Sequence, residues 1–519
     1  MLGRVDPQGS LLETRVMRRH LVTKNSFYAR LADHGHEIVT DDDFAHLYSQ
    51  RMGRPSIPPS VMVRAMLCAT HDHLTSDAET SRRTRVDADW KAAMGVDDDF
   101  EGIGARTFSL MRSRMVVHDA DATLFERTLE KAVEAGIFKA KLTAIIDSSP
   151  VHGAGAVADT YELIRGFMRQ VVRAAGERLS AGARDAAEPF CGAKPDIDWQ
   201  DPAARKAHLA ELVAAGMVLL TEATGIEDPA VADPAELLAQ VIDQDVTADD
   251  AGNPVIRHGV ARDRVVSHSD PEMRHGRKSA SRRFDGHKLD VIGDEASELI
   301  LGVEVRPANA ADGEGAVGLL EAVQGIDGVE VETLLGDMAY SDGDVREAVE
   351  EAGAELVAKV PPLTNSGRFP KTDFAIDTAA GTVTCPAGVT TTAAKKAKDD
   401  KGRPGLRFSF PAATCATCPL REQCVGGTKG RSIFVGRHHD RIAAARAAQA
   451  EASTKALLRR RSKIERKIDH LQDLGMRKAR YRGRRKTRLQ ALLAATVANF
   501  KRLGVLGVFD VPAPVGIAA

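Results

Sequence analysis

The chain has 519 residues, 43% hydrophobic and 28% charged, with a formal net charge of −2. That length suits two to four domains of roughly 100 to 200 residues, and the balance is that of a globular chain able to bury sizeable cores. No run of about 18 apolar residues occurs and no apolar segment follows the first basic residues, so neither a membrane span nor a signal peptide is expected and the cytoplasm is the expected compartment.

Only 4% of residues are aromatic, which points to helical packing through Ala, Leu and Val. The small net charge hides an asymmetry: the interval from about Asp185 to Asp250 is acidic, whereas Lys455 to Arg488 carries fifteen Lys and Arg against three acids, Glu465, Asp469 and Asp473. Such a block suits a polyanionic partner or, more plainly, a solvated helix face.

Taken in order, residues 1–25 are basic without a strong period and read as a flexible arm. From 26 to 135 the pattern is helical. Asp41, Asp42 and Asp43 can complement the start of a helix through Phe44, Leu47 and Tyr48, and Ser60 can cap VMVRAMLCAT after a proline-rich loop. Ser76 and Asp77 open AETSRRTR, and a fourth helix spans Trp90 to Met94. Short helices on tight turns, with Arg82, Arg83 and Arg85 on one of them, fit a helix-turn-helix-type DNA-binding domain and equally a plain helical packing domain.

LTAIIDSSP, from Leu142 to Pro150, is a short apolar strand that stops on Asp147. A carboxylate at the end of a buried strand is costly to desolvate unless hydrogen bonds, an ion pair or a metal compensates. Asp147 is therefore either a metal ligand or the cap of a turn through Ser148, Ser149 and Pro150. A helical insertion over 148–262 follows. Strand signals resume at RFDGHKLDV, from Arg283, and at Leu299 to Val305, the two arms of a hairpin. A helix over 310–323 leads to a strand from Val329 to Leu335 that also ends on an acid, Asp337, in LLGDMAYSD. Asp342 can cap the next helix, and Glu355 to Val360 forms a further strand. The order β(Asp)-insertion-β-β-α-β(Asp)-α-β describes an α/β core over 136–360 with a ribonuclease-H-like mixed sheet. That arrangement sets the tips of the first and fourth strands side by side, so Asp147 and Asp337 are expected to converge.

Residues 361–437 are polar, punctuated by Gly and Pro, and form a small β insertion carrying Cys385, Cys415, Cys418 and Cys424. Their spacing supplies four thiolates for a structural Zn²⁺, the alternative being reduced thiols that pack the insertion. His438 and His439 are substitute ligands or part of the next helix start; Cys68 and Cys191 stand apart as packed thiols. Residues 438–519 are basic and helical to about Leu503, completing the core. Leu457, Ile464, Ile468 and Leu471 share a face that should dock on the sheet, with Glu465 near its border and Arg461 one turn earlier. A two-metal site takes about three carboxylates, and Glu465 is the candidate for the third unless it is a surface ion-pair partner.

These blocks together resemble a DDE transposase of a bacterial insertion sequence: DDDFAHLYSQRMGRPSIPPSVMVRAML, IIDSSPVHG, DPEMRHGRKSASRRFDGHK, GDMAYSD, the CPAG and CATCPLREQC cysteines, and RRRSKIERKIDHL with the trailing RKARYRGRRKTRLQALLAATVANFKRL. The resemblance implies that Asp147, Asp337 and Glu465 are the catalytic acids and bind two Mg²⁺ or Mn²⁺. The implied reaction is cleavage at the element's ends, then in-line attack of the 3′-hydroxyl on target DNA. It also implies double-stranded DNA, both ends and target, as partner, and a homodimer at the nucleoid. Many relatives carry a tyrosine seven residues before the glutamate and a lysine seven after, where this chain has Leu458 and Gln472. Phosphate contacts are expected from Arg461, Lys463, Arg466, Lys467, Arg477, Lys478, Arg480, Arg482, Arg484 and Arg485, while Lys288 faces either a phosphate or solvent. His152 and His287 are candidates for groups supporting the metal ligands. The competing reading is a catalytically inactive, transposase-derived DNA-binding protein, and a nuclease that cuts without strand transfer is a third.

Overall fold

The computed structural model describes residues 1–6, 10–49, 53–279 and 281–509. Residues 7–9 of the arm, Gln50 to Met52 and Ala280 of the quoted motifs, and the last ten positions of the C-terminal segment lie outside them. The fold is mixed α/β with a helical N-terminal region. Its main N-terminal helices are α1 (Phe27–His34), α2 (Pro59–His71), α3 (Asp77–Val86), α4 (Ala88–Met94), α5 (Ala105–Val117) and α6 (Thr123–Glu134). Strand β1 (Leu142–His152) precedes helices α7 (Thr160–Ala175), α8 (Ala181–Cys191), α9 (Pro202–Ala223) and α10 (Pro229–Asp245). Then come β2 (Arg274–Arg277), β3 (Arg283–Asp294), β4 (Ile300–Pro307), α11 (Ala316–Gln324), β5 (Val331–Gly336), α12 (Gly343–Glu351) and β6 (Glu355–Ala358). The insertion contains β7 (Ala394–Lys398), β8 (Pro404–Ser409) and β9 (Ser432–Gly436), and is followed by α13 (His439–Ala448), α14 (Ala452–Arg460), α15 (Ser462–Leu471) and α16 (Arg484–Val505). No helix among the described residues is long and apolar enough to cross a membrane.

The chain divides into two compact units that alternate along the sequence. One takes residues up to Lys139, Ser148–Ala311 and the chain from Ile464; the other takes Ala140–Asp147 and Asp312–Lys463.

In the first unit, local chemistry sets the helix starts. The side chains of Ser26, Ser76 and Asp159 accept the backbone N–H groups of Ala29, Glu79 and Glu162, satisfying donors that a first turn leaves open. Ser60, expected as a cap, instead lies inside α2, which Pro59 begins. Its own N–H is the open donor, and Asp41 Oδ1 accepts it at 2.9 Å. The arm is tied down by ion pairs from Arg4 to Asp42 at 2.6 Å and from Arg18 to Asp98 at 2.8 Å. Helices α7 to α10 form the expected insertion around their own core of Leu163, Phe167, Leu212, Leu219 and Leu238.

Strands β3 and β4 pair antiparallel from His287 opposite Pro307 to Gly293 opposite Ile300. At Gly286, φ is +150° and a Cβ would fall 2.2 Å from Val151 O, so the FDGHK glycine is required by close backbone approach. Helix α16 is buried along most of its length. Asn499 on it donates to Ile300 O at 2.8 Å, accepts Ile300 N–H at 2.9 Å and donates to Thr128 Oγ1 at 3.2 Å.

In the second unit, β1 pairs parallel with β5, and β5 parallel with β6. Asp342 caps α12 as expected, its Oδ1 accepting Asp344 N–H at 3.1 Å. Strands β7, β8 and β9 form an antiparallel sheet whose core holds Phe374, Val383, Phe408, Phe410, Ile433 and Val435.

The C-terminal stretch expected as continuous helix is broken. Arg461 separates α14 from α15, Gly475 takes φ +98° after α15, and Gly483 takes φ +87° before α16. Between the last two, the segment 477–479 runs alongside the end of β1. His152 N–H donates to Arg477 O at 3.0 Å and Ala479 N–H to His152 O at 2.7 Å. Of the expected apolar stripe, Ile464, Ile468 and Leu471 are buried, whereas Leu457, on the preceding helix, is only partly so.

Candidate active site

Asp147 lies on β1 and Asp337 directly after β5, two neighbouring parallel strands of one unit. The register pairs Ala144 with Leu334 and Ile145 with Leu335. Carried two residues onward, it sets Asp147 level with Asp337, on the side-chain face of Ile145 and Leu335. Both acids are partly exposed. Asp337 ends its strand by capping the single turn Met338–Tyr340, with Oδ1 accepting Ala339 N–H at 2.7 Å. Its Oδ2 has no hydrogen bond among the described residues. Arg461 Nη1 donates to Asp147 Oδ2 at 2.9 Å, and the two side chains are 24% and 17% exposed.

Glu465 belongs to the other unit, exposed in the first turn of α15. An acid there complements the helix N-terminus, and four residues separate it from Arg461.

Two family models match the sequence. A transposase DDE domain covers residues 384–504, including Glu465, and a transposase domain, DUF772, covers residues 16–114. Both matches are to transposase families, and together they indicate an insertion-sequence DDE transposase. Searches of curated proteins and of solved structures return no match.

The cations of the chain's basic segments divide by partner. Arg480 pairs with Asp77, Arg484 with Glu272 at 3.0 Å, Arg485 with Asp119 at 2.5 Å and Arg488 with Asp121 at 2.6 Å. Arg477 pairs with Asp473 at 3.0 Å, and Arg466 and Lys467 both reach Glu298, at 3.4 and 3.0 Å. Lys478 and Arg482 are exposed and carry no ion pair among the described residues, while Lys463 is half-buried. Lys288 is buried at 8% exposure, and its Nζ donates to Ala310 O at 2.6 Å, so the ammonium faces a backbone carbonyl rather than solvent. On α3, Arg82 pairs with Glu79 at 2.7 Å and Arg83 with Asp87 at 2.5 Å.

His287 is wholly buried, 3.5 Å from the equally buried Asp270, and neither side chain makes a hydrogen bond of good geometry. Asp270 opens the DPEMRHGRK block, but nothing in its spacing distinguishes it from a loop aspartate. Gln472 donates to Ser149 Oγ at 2.8 Å.

The four clustered cysteines line one cavity of about 30 Å³ with Phe369 and Phe410. Burial, reinforced by the neighbouring sulfurs, pushes the Cys424 thiol up. Among the described residues, the one group whose metal-ligating atoms all lie within 4.8 Å of one another is Asp344, Glu347 and His438; the sulfurs do not close to that spacing. His438 therefore sits with acids instead of the thiols, Nε2 lying 2.7 Å from Asp344 Oδ1. Arg437 meets Asp344 at 2.6 Å and Arg441 meets Glu347 at 3.3 Å. His438 and Arg437 hold the Asp344 carboxyl below its usual range. Those arginines occupy the charge a cation would neutralise, so the group is an ion-pair network as it stands.

Proposed function

We propose that this transposase is an active enzyme that cleaves phosphodiester bonds at its element's ends and joins the 3′-hydroxyl ends to target DNA. In this reading Asp147, Asp337 and Glu465 hold two divalent cations, Mg²⁺ or Mn²⁺. The observation that carries it is the parallel pairing of β1 with β5, whose register through Ile145 and Leu335, extended two residues, brings Asp147 level with Asp337. The donor set suits hard cations, which take carboxylate oxygens. Asp337 keeps one oxygen clear of hydrogen bonds, and Asp147 already attracts a cationic group, Arg461. Such ions, when bound, activate the attacking water or hydroxyl and stabilise the leaving oxygen.

The chain's own part is positioning. Strand pairing fixes both aspartates, the Ala339 N–H orients Asp337, and Arg461 serves Asp147 or a substrate phosphate. A ribonuclease-H-like reading of the mixed sheet is supported by the antiparallel β3–β4 hairpin and the parallel β1, β5 and β6 in the expected chain order. The partner proposed is double-stranded DNA, with two copies bridging the two ends, and Lys478 and Arg482 supply backbone contacts. For the cysteine set we propose a structural Zn²⁺ that draws the four thiolates together.

The test is a cleavage and strand-transfer assay on DNA bearing the element's ends, with Mg²⁺ or Mn²⁺. Asp147→Ala, Asp337→Ala and Glu465→Ala should each abolish both steps; retained activity in any of them removes that residue from the site.

A further inference from the structure

A second site lies away from the three acids, within the unit that carries the cysteine insertion. A cleft of about 950 Å³ opens between the insertion sheet and α13, a volume at the upper end for a small-molecule site. Leu363, Ile376, Phe434 and Ile442 give it an apolar wall, and Lys371, His439 and Arg446 give it a basic end.

Among the described residues these basic groups form no ion pair, and Asp440 is the one acid whose charge acts on Lys371 and His439. Among the described residues Lys371 makes no ion pair and its ammonium no hydrogen bond. Arg446 Nε is buried without a partner, and Arg446 Nη2 reaches only Pro361 O at 3.4 Å. Two of the nearby acids are engaged elsewhere, Asp344 by His438 and Arg437 and Asp399 by Arg403 at 2.7 Å. Asp440 accepts the Thr378 hydroxyl at 2.5 Å and offsets Lys371 and His439 only in part, pairing with neither. Burial first, and the Arg446 charge second, pull the Lys371 ammonium down to about 8. Burial, Lys371 and Arg446 likewise hold His439 below its usual value. Half-buried like charges facing one space cost stability unless an anion enters it.

We infer that this cleft binds a nucleotide, its phosphate on Lys371, His439 and Arg446 and its base against Phe434 and the neighbouring aliphatic side chains. Lysine and arginine are the residues that hold phosphate, by charge and by directed N–H groups. A wall of apolar side chains beside them favours a phosphate carrying a flat, apolar body over phosphate alone, because burying that body adds to affinity. The ligand comes either free or as an unpaired nucleotide of a DNA strand. Neither source depends on Asp147, Asp337 or Glu465, so the inference and the proposed active site fail separately.

The experiment is calorimetric titration of the full chain with dAMP, with inorganic phosphate and with a five-nucleotide oligothymidylate. A nucleotide should bind about tenfold or more tightly than phosphate, and Lys371→Met and Arg446→Gln should each weaken it by about tenfold, the worth of one charge-assisted hydrogen bond. Lys371→Arg should retain binding, and Asp147→Ala should leave it unchanged. Binding of dAMP assigns a free-nucleotide site; binding of the oligonucleotide without dAMP assigns a strand site. Absence of binding by both, or equal affinity in Lys371→Met and Arg446→Gln that unfold as the parent does, overturns the inference.

Discussion

Arg461 places its guanidinium 2.9 Å from Asp147, the acid midway along β1. A cation on one proposed metal ligand competes with the metal itself. Arg461→Ala should therefore tighten Mn²⁺ binding in the absence of DNA while lowering end cleavage, because the phosphate partner is lost. Titration calorimetry of Mn²⁺ beside the cleavage assay separates the two effects, and unchanged Mn²⁺ affinity would sink the competition argument.

The Asp270–His287 pair is buried to 0% side-chain exposure on both sides. Removing one partner leaves the other in an apolar setting. Asp270→Ala should destabilise the fold by about 3 kcal/mol, the cost of breaking a buried pair. Urea unfolding measures it, and a loss within error of zero would mean that water or rearrangement compensates.

For Lys371 the sign follows from a folded value near 8 against an ordinary 10.5. Below the folded value the lysine is charged in both states and burial costs stability; the cost is relieved as pH rises from about 8 to the unfolded value. Lys371→Met should accordingly raise the melting temperature at pH 7 and have a smaller effect at pH 10. Nucleotide affinity should run the other way, falling as pH rises above 8 and the ammonium loses its proton. His439, Asp344 and Asp399 are each held below their usual values and so do not titrate in that window.

Metal analysis of purified protein should find zinc near one equivalent, lost in Cys418→Ser. If parent and variant both lack zinc, the four thiols are packing groups.

The basic tail should separate by partner. Lys478→Ala and Arg482→Ala should each lower DNA affinity and reduce the salt dependence by about one counterion, since both are exposed without an ion pair. Arg480→Ala should chiefly lower stability, because Arg480 pairs with Asp77 and also donates to Leu74 O at 3.3 Å. Filter binding across salt concentrations and thermal unfolding distinguish the outcomes.

The strands beside Asp147 and Asp337 were legible from their short apolar runs; the second does end at its acid, but the first was expected to stop on Asp147 and instead runs on through Ser148 and Ser149 to His152. Their mutual register was not, since pairing depends on contacts about 190 residues apart in sequence. The stripe Ile464, Ile468 and Leu471 was readable from period alone. The breaks around it were missed because Gly475 and Gly483 look like tolerated helical glycines until their positive φ values are seen. Charge density at 477–488 read as a DNA surface. Composition cannot say that Arg480, Arg484, Arg485 and Arg488 each meet an acid from a distant segment. The same blindness hid Lys371 and Arg446, two ordinary cations that matter because the fold buries them together without an ion pair among the described residues.

Asn499 fastens Ile300 and Thr128 to the last described helix through three hydrogen bonds. During translation the hairpin and the N-terminal helices leave the ribosome well before that asparagine is made. Until it arrives, the Ile300 amide and carbonyl lack their final partners, and the surface that α16 buries stays open to chaperones and proteases. Assembly of this unit is thus gated by synthesis of its own tail, and nascent chains truncated ahead of α16 should be cleared rather than accumulate as DNA-binding fragments.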